Sequence, residues 1–258
     1  MISIEVQEKL SQIVASQPYP LVFATVSGAH LYGFPSPDSD YDLRGVHVLP
    51  LRELVGLRPG QDTIEVSQQL PDLELDLVTH DLKKFMGLLL RRNGYVLEQL
   101  LSPLVVYSSS VHRELCTIAP DCITRHHSHH YLGFAQTQWK LFSQGQPLKV
   151  KPLLYVYRVL LTGIHLMQTG EVEANLVSLN QRFQLAYLDD LIAQKVTGTE
   201  KGDLSATDLA FHHQEFTRLL DELELARDRS SLANEPTAEA ALNDLLLRVR
   251  LGDSNARS

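Results

Sequence analysis

Cysteine is scarce in this sequence: Cys116 and Cys122 are the only two in 258 residues. Two thiols cannot build a disulfide framework, and these two lack metal-site company. They read as buried or idle thiols of a reducing compartment. Long hydrophobic runs are missing too. No apolar stretch approaches the roughly 20 residues that span a bilayer. Residues Met1 to Gln17 are amphipathic and acidic, which argues against a secretory leader. Positive charge is in short supply: 23 Lys+Arg against 31 Asp+Glu leave a net charge of −8. Proteins held on nucleic acid mainly by phosphate contacts tend to be basic. A large RNA partner would therefore need a local basic patch. Lys83, Lys84, Arg91 and Arg92 are the candidates, although a solvated helix face is the simpler account of them. What remains is an ordinary globular composition, 44% hydrophobic and 21% charged, expected in the cytoplasm.

Strand and helix signals mix in the first half. Val6, Leu10, Ile13 and Val14 stand at helical spacing after Ser3, a natural N-cap, and Pro18 and Pro20 close that segment. Residues 21–26 read as a buried strand and 41–49 as a second. Residues 62–67 are a weak strand. Residues 73–78 are a stronger one, with Leu73, Leu75 and Leu77 on one face and Asp72, Glu74 and Asp76 on the other. A helix is expected from His80 to Arg92, capped by Thr79, with Leu82, Phe85, Leu88 and Leu89 inward. A second helix follows Asn93-Gly94 and reaches Leu101. Residues 104–107 read as a last strand. From Ser109 onward only helices are expected, at 129–143, 151–168, 178–194, 206–226 and 236–251. The pattern predicts an α+β catalytic half at 1–108, a helical half at 109–252 covering its cleft, and a flexible tail at 253–258.

The densest information lies in residues 27–46, Ser-Gly-Ala-His-Leu-Tyr-Gly-Phe-Pro-Ser-Pro-Asp-Ser-Asp-Tyr-Asp-Leu-Arg-Gly-Val. A glycine turn follows the apolar run Leu21 to Val26. Asp40 and Asp42 come later, one residue apart. If that segment is extended, the two carboxylates share a face. Like charges so close repel unless a cation sits between them. Mg²⁺ accepts one or two carboxylates and completes its shell with water and nucleotide phosphates. The backbone N–H groups of a glycine turn can approach phosphate. Together these parts suggest metal-assisted nucleotidyl transfer.

The stretch resembles the signature of the polymerase-β-like nucleotidyltransferase superfamily, a glycine turn followed by Asp-x-Asp in a strand–turn–helix–strand setting. Its longer form is similar to that of the predicted nucleotidyltransferases associated with RNA-repair pathways. The likeness continues through Leu75 to Phe85 and Asn93 to Leu100, and more loosely through Lys151 to Gly170. It reaches about Leu179. One position departs: the superfamily usually has Ser after the turn glycine, and Ala29 stands here. That removes a hydroxyl that would contact phosphate.

The resemblance implies a mixed sheet with helices, an NTP substrate (ATP included), two Mg²⁺ or Mn²⁺ ions, and an RNA end or tRNA as acceptor. It places metal ligands and catalysis on Asp40 and Asp42, with a third carboxylate from a neighbouring strand. Asp76 fits that third role best, with Glu74 as the rival. The turn residues Ser27, Gly28 and Ala29 would contact the nucleotide. In relatives with two domains the helical half gives basic residues to the triphosphate. Lys151 and Arg158 could do so here, or they could form an exposed basic stripe with Tyr155.

Other residues read from their surroundings alone. Arg44 falls on the face of Asp42 and pairs with a carboxylate more readily than with the triphosphate. Tyr32 is expected to pack beneath its loop, and His30 to cap backbone groups or touch phosphate. Adjacent histidines splay apart, so the cluster His126, His127, His129 and His130 is a poor zinc site. One or two of these should cap the next helix or face the cleft. Glu98 is expected on a helix surface, or supporting the site. Two other readings stand beside the transferase. One is a catalytically silent nucleotide-binding or partner-binding module, favoured by Ala29. The other is a metal-dependent phosphohydrolase that uses the histidine cluster.

Overall fold

A computed structural model of the chain describes residues 3–70, 73–197, 203–204 and 206–252. Asp72 and the expected tail at 253–258 lie outside the described residues. Contacts divide the chain into two units. The first takes residues up to Gly28, Asp40–Cys122 and the C-terminal segment from Pro236. The second takes Ala29–Ser39 and Ile123–Glu235.

The first unit is built on α1 (Ile4–Ala15), β1 (Leu21–Val26), β2 (Tyr41–His47) and α3 (Leu51–Val55), and after Gly28 the short α2 (Gly28–Tyr32) belongs to the second unit. The first unit continues with β3 (Thr63–Leu70), β4 (Leu73–Asp81), α4 (Leu82–Leu90), α5 (Gly94–Leu100), β5 (Val105–Ser108) and α6 (Ser110–Ile118). The five strands form one mixed sheet in the order β3-β4-β2-β1-β5. β2 and β4 are parallel, and the other neighbours are antiparallel. The alternation in β4 holds as expected, with Leu73, Leu75 and Leu77 buried between more exposed neighbours. They meet Leu10, Ile13 and Val14 of α1, together with Ala24, Val26 and Leu43. Elsewhere in this unit Phe23 stacks on His112 at 4.5 Å and meets Phe85 edge-on at 5.4 Å.

Two local expectations shift. β4 runs on through Thr79 and His80, because both stay paired with β2 and β3. The cap of α4 is therefore Asp81, whose side chain accepts from Lys83 N at 3.0 Å, and not Thr79. The buried face of α4 is Leu82, Phe85, Met86 and Leu89, so Met86 takes the place expected for Leu88.

The division differs from the one expected at residue 108. α6 belongs with the sheet, and so does the last helix, α12 (Glu239–Leu251), which follows the helices of the second unit in sequence. Charge pairing brings α12 back. Arg250 donates to the Asp81 carboxylate at 2.5 Å and to the Leu49 carbonyl, with Arg250 and Asp81 side chains 7% and 3% exposed. Arg248 pairs with Glu114 of α6.

The second unit is helical: α7 (Ser128–Ser143), α8 (Val150–Thr169), α9 (Leu176–Phe183), α10 (Ala186–Thr197) and α11 (Ala206–Arg229). α8 is buried almost throughout and ends at Gly170, as its pattern predicts. The helix expected over 178–194 is two helices, separated where Gln184 takes φ 54°. Residues 148–149 and 203–204 pair as a two-residue ladder, so the second half is not purely helical.

Candidate active site

β1 delivers Ser27 and Gly28 to the edge of the Asp-x-Asp segment. Ser27 N donates to the Asp42 carbonyl at 2.8 Å, one step beyond the Val26–Leu43 pair of the β1–β2 ladder. Gly28 has φ +62°, and a Cβ there would lie 2.0 Å from Asp42 Oδ2. Only glycine permits that backbone conformation and that approach together. The Ser27 hydroxyl is fully buried and has no hydrogen-bond partner among the described residues.

Asp42 and Asp76 are direct partners in the parallel β2–β4 register. Neighbouring strands run about 4.8 Å apart, and paired residues present their side chains to the same face. Glu74, the rival of Asp76, is exposed and lies opposite Gln69 of β3. Asp40 sits just before the first residue of β2 and is half-buried. Its charge still reaches Asp42. Burial pushes the Asp42 carboxyl above its ordinary 3.8, the Arg44 guanidinium opposes this, and the negative charges of Asp40 and Asp76 reinforce it.

Arg44 forms the ion pair expected of it. Its Nη2 lies 2.6 Å from Asp42 Oδ1, and its Nη1 donates to the main-chain oxygens of Leu43 and Asp76 at 2.8 and 2.9 Å. Its Nε donates to the Tyr95 hydroxyl at 3.0 Å. Asp76 Oδ1 accepts from Ser67 Oγ at 2.5 Å. Each carboxylate of the pair is thus engaged by the protein. Among the described residues no group of three or more His, Cys, Asp or Glu side chains is gathered as for a metal ion. The arrangement is an acidic cluster with one guanidinium, beside a glycine turn that can approach a phosphate.

The comparisons with known proteins decide the family. The RNA repair pathway DNA polymerase beta family, RlaP, matches residues 2–248. The chain belongs to this family. By family it is a polymerase β-like nucleotidyltransferase. An uncharacterized protein of Methanocaldococcus jannaschii is 31% identical over 237 residues, covering 89% of this chain and 94% of that protein. The uncharacterized protein YcgL of Bacillus subtilis is 29% identical over 250 residues, covering 94% of each. The solved structure of a nucleotidyltransferase-like protein from Exiguobacterium sibiricum aligns over 97% of this chain and 80% of its own, with 13% identity and a TM-score of 0.34.

Within this RlaP chain the helical unit holds the remaining expected residues. Ala29 is buried at the start of the loop 29–39. Lys151 is half-buried in the first turn of α8. Arg158 does not lie on an exposed stripe. It is 2% exposed, with its Cζ 3.9 Å above the ring of Tyr32. Tyr32 packs, as expected, with Tyr155 edge-on to it at 5.5 Å. In the histidine cluster, His127 is buried and its Nδ1 accepts from Thr124 N at 3.1 Å in a capping box, while His129 is exposed. Glu98 is 2% exposed rather than a surface residue. Lys83 on α4 and Arg91 just past its end are exposed, and Lys84 pairs with Asp62 at 2.9 Å, so that face of the helix is largely solvated. No helix of the described residues is long and apolar enough to cross a membrane.

Sequence reasoning missed Tyr95 and Ser67. Their partners, Arg44 and Asp76, stand 51 and 9 positions away. No local pattern reports such pairs, although Tyr95 follows directly on the Asn93-Gly94 break.

Proposed function

We propose that this protein is a divalent-metal-dependent nucleotidyltransferase of the cytoplasm, moving a nucleoside monophosphate from an NTP to a hydroxyl, with an RNA end or tRNA as acceptor. The observation that carries the reading is the Asp42–Asp76 register pair, with Gly28 closed against the Asp42 carboxylate. The donor set is oxygen-only, as Mg²⁺ or Mn²⁺ requires, and the charges of Asp40 and Asp76 add to the burial that raises the Asp42 carboxyl. Asp40, Asp42 and Asp76 would hold the ions, which when bound neutralise phosphate charge and favour departure of pyrophosphate.

The chain's own residues have separate tasks. The acceptor oxygen attacks the α-phosphorus, the O–P bond forms, and the bond to the β-phosphate bridging oxygen breaks. Asp76 is the candidate to take the acceptor proton. Ser27 and Gly28 would border the triphosphate. Arg44 holds Asp42 through one hydrogen bond to its Oδ1, while three others, to the Tyr95 hydroxyl and the main-chain oxygens of Leu43 and Asp76, fix the guanidinium.

The test is label transfer. Purified protein with Mg²⁺ and each α-labelled NTP is offered total RNA and protein as acceptors, with Asp40→Ala/Asp42→Ala as control. Label on RNA in the wild type alone supports the reading. NTP binding without transfer to any acceptor supports the silent module, for which Ala29 is the specific observation.

A further inference from the structure

Four residues of the sheet unit stand in one row across its strands. Ser27 lies one step beyond β1, and its N–H donates to the Asp42 carbonyl of β2. Asp42 is in register with Asp76 of β4, and Asp76 with Ser67 of β3. Residues in register present their side chains to the same face. The row therefore runs Ser27, Asp42, Asp76, Ser67, and it ends on β3, an edge strand of the sheet.

Ser67 owes its place to the alternation of β3. Glu65, Ser67 and Gln69 are exposed, while Val66 packs on the core between α1 and the sheet. The β3–β4 ladder runs from Thr63–His80 to Leu70–Leu73 with every pair in step. A slip of one residue would turn Ser67 to the core and Val66 to solvent, so apolar burial holds Ser67 opposite Asp76. The Ser67 hydroxyl donates to Asp76 Oδ1 at 2.5 Å, the length of a charge-assisted O–H···O⁻ bond. Asp42 is held in the same manner, its Oδ1 engaged by Arg44. A carboxylate that binds a metal ion is kept in place by such outer hydrogen bonds, and these set how well it binds.

We propose that Ser67 is a positioning residue for Asp76: its hydroxyl holds Oδ1 and leaves Oδ2 as the oxygen that meets the cation and the acceptor hydroxyl. Ser67 itself forms no bond to either and exchanges no proton with them. The proposal rests on the transferase reading of Asp42 and Asp76, and it places a working part of that site on the edge strand β3.

Ser67→Ala, Ser67→Thr and Gln69→Ala are compared with wild type by Mn²⁺ titration of the protein alone, by thermal melting, and by transfer kinetics at saturating Mn²⁺ with total RNA as acceptor. Ser67→Ala should bind Mn²⁺ about tenfold more weakly and lose about 10–100-fold in kcat, the usual cost of removing an outer hydrogen bond of a ligand. KM for the NTP should stay unchanged. The melting temperature should stay at the wild-type value, because the residue is exposed and packs on no core. Ser67→Thr keeps the hydroxyl and should keep both Mn²⁺ affinity and kcat. Gln69→Ala, two residues along the same face, should behave as wild type. Adding Ser67→Ala to Asp76→Asn should cost nothing further, since Ser67 acts only through Asp76.

Wild-type Mn²⁺ affinity in Ser67→Ala would overturn the proposal whatever the kinetics show. So would a Ser67→Thr or a Gln69→Ala as impaired as Ser67→Ala, because the hydroxyl would then not be the group that matters. A wild type that binds Mn²⁺ without transferring label leaves the affinities of the variants to decide. A wild type that neither binds Mn²⁺ nor transfers label removes the transferase reading, and the proposal falls with it.

Discussion

The Asp42 carboxylate lies against the backbone of Gly28, so that a Cβ at residue 28 would sit 2.0 Å from Oδ2. The clash and the positive φ act together at this position. Gly28→Ala should destabilise the protein by about 1–3 kcal/mol from backbone strain alone. It should also push Asp42 off its place. Urea midpoints measure the first effect. Loss of any Mg²⁺-dependent rise in melting temperature measures the second, and a variant that keeps that rise would show that Gly28 is not part of the site.

Arg44 is the cation that holds the acidic cluster. Tyr95→Phe removes one acceptor from its Nε and should cost about 1 kcal/mol. Arg44→Gln leaves Asp42 facing Asp40 and Asp76 without compensation. Its melting temperature should drop, and added Mg²⁺ should restore more of that drop than it adds to wild type. Equal Mg²⁺ responses in the two proteins would argue against a cation site among these carboxylates.

The Arg250–Asp81 pair holds the last helix to the sheet unit, with both side chains nearly excluded from water. Arg250→Ala leaves the Asp81 carboxylate buried with only the N–H groups of Leu49 and Lys83. A loss of about 3–5 kcal/mol is expected on denaturant unfolding. Transfer activity at low temperature should survive, since α12 contributes no residue to the candidate site.

His130 titrates at about 4, below its ordinary 6.5, first because of burial and then because of the nearby Arg158 charge. Between those values the folded state binds fewer protons than the unfolded chain. Stability is therefore full above pH 6.5 and is lost as pH falls toward 4. For a shift of this size the loss is on the order of 3 kcal/mol. His47, His80 and His112 are also lowered by burial and act in the same direction. His130→Gln should flatten the slope of stability against pH in that window without removing it. An unchanged slope would mean that His130 is protonated in the folded protein.

Local chemistry made much of this molecule legible in its sequence. Alternation of Leu73, Leu75 and Leu77 marks a half-buried strand because side chains alternate across a pleat. Ser3 and Gly170 mark helix ends because a cap depends on neighbours only a few residues away. The glycine turn and Asp40-x-Asp42 are likewise one short segment, and they point to carboxylate chemistry before any fold is known.

Tertiary structure decided what depends on distant partners. Asp76 faces Asp42, and Glu74 does not, because the parallel register of β2 and β4 pairs residues far apart in sequence. The extension of β4 to Asp81 overrode the helix signal at His80, since ladder hydrogen bonds to two neighbouring strands outweigh a local cap. Arg250 returns α12 to the sheet unit through a carboxylate 169 positions away. Arg158 reads as one of a row of basic residues on a helix, yet it is buried on Tyr32 because the loop 29–39 folds with the helices. Periodicity is set by backbone geometry within a few residues. Register, burial of charge and the grouping of segments into units are set by which surfaces meet, and only the folded chain contains that information.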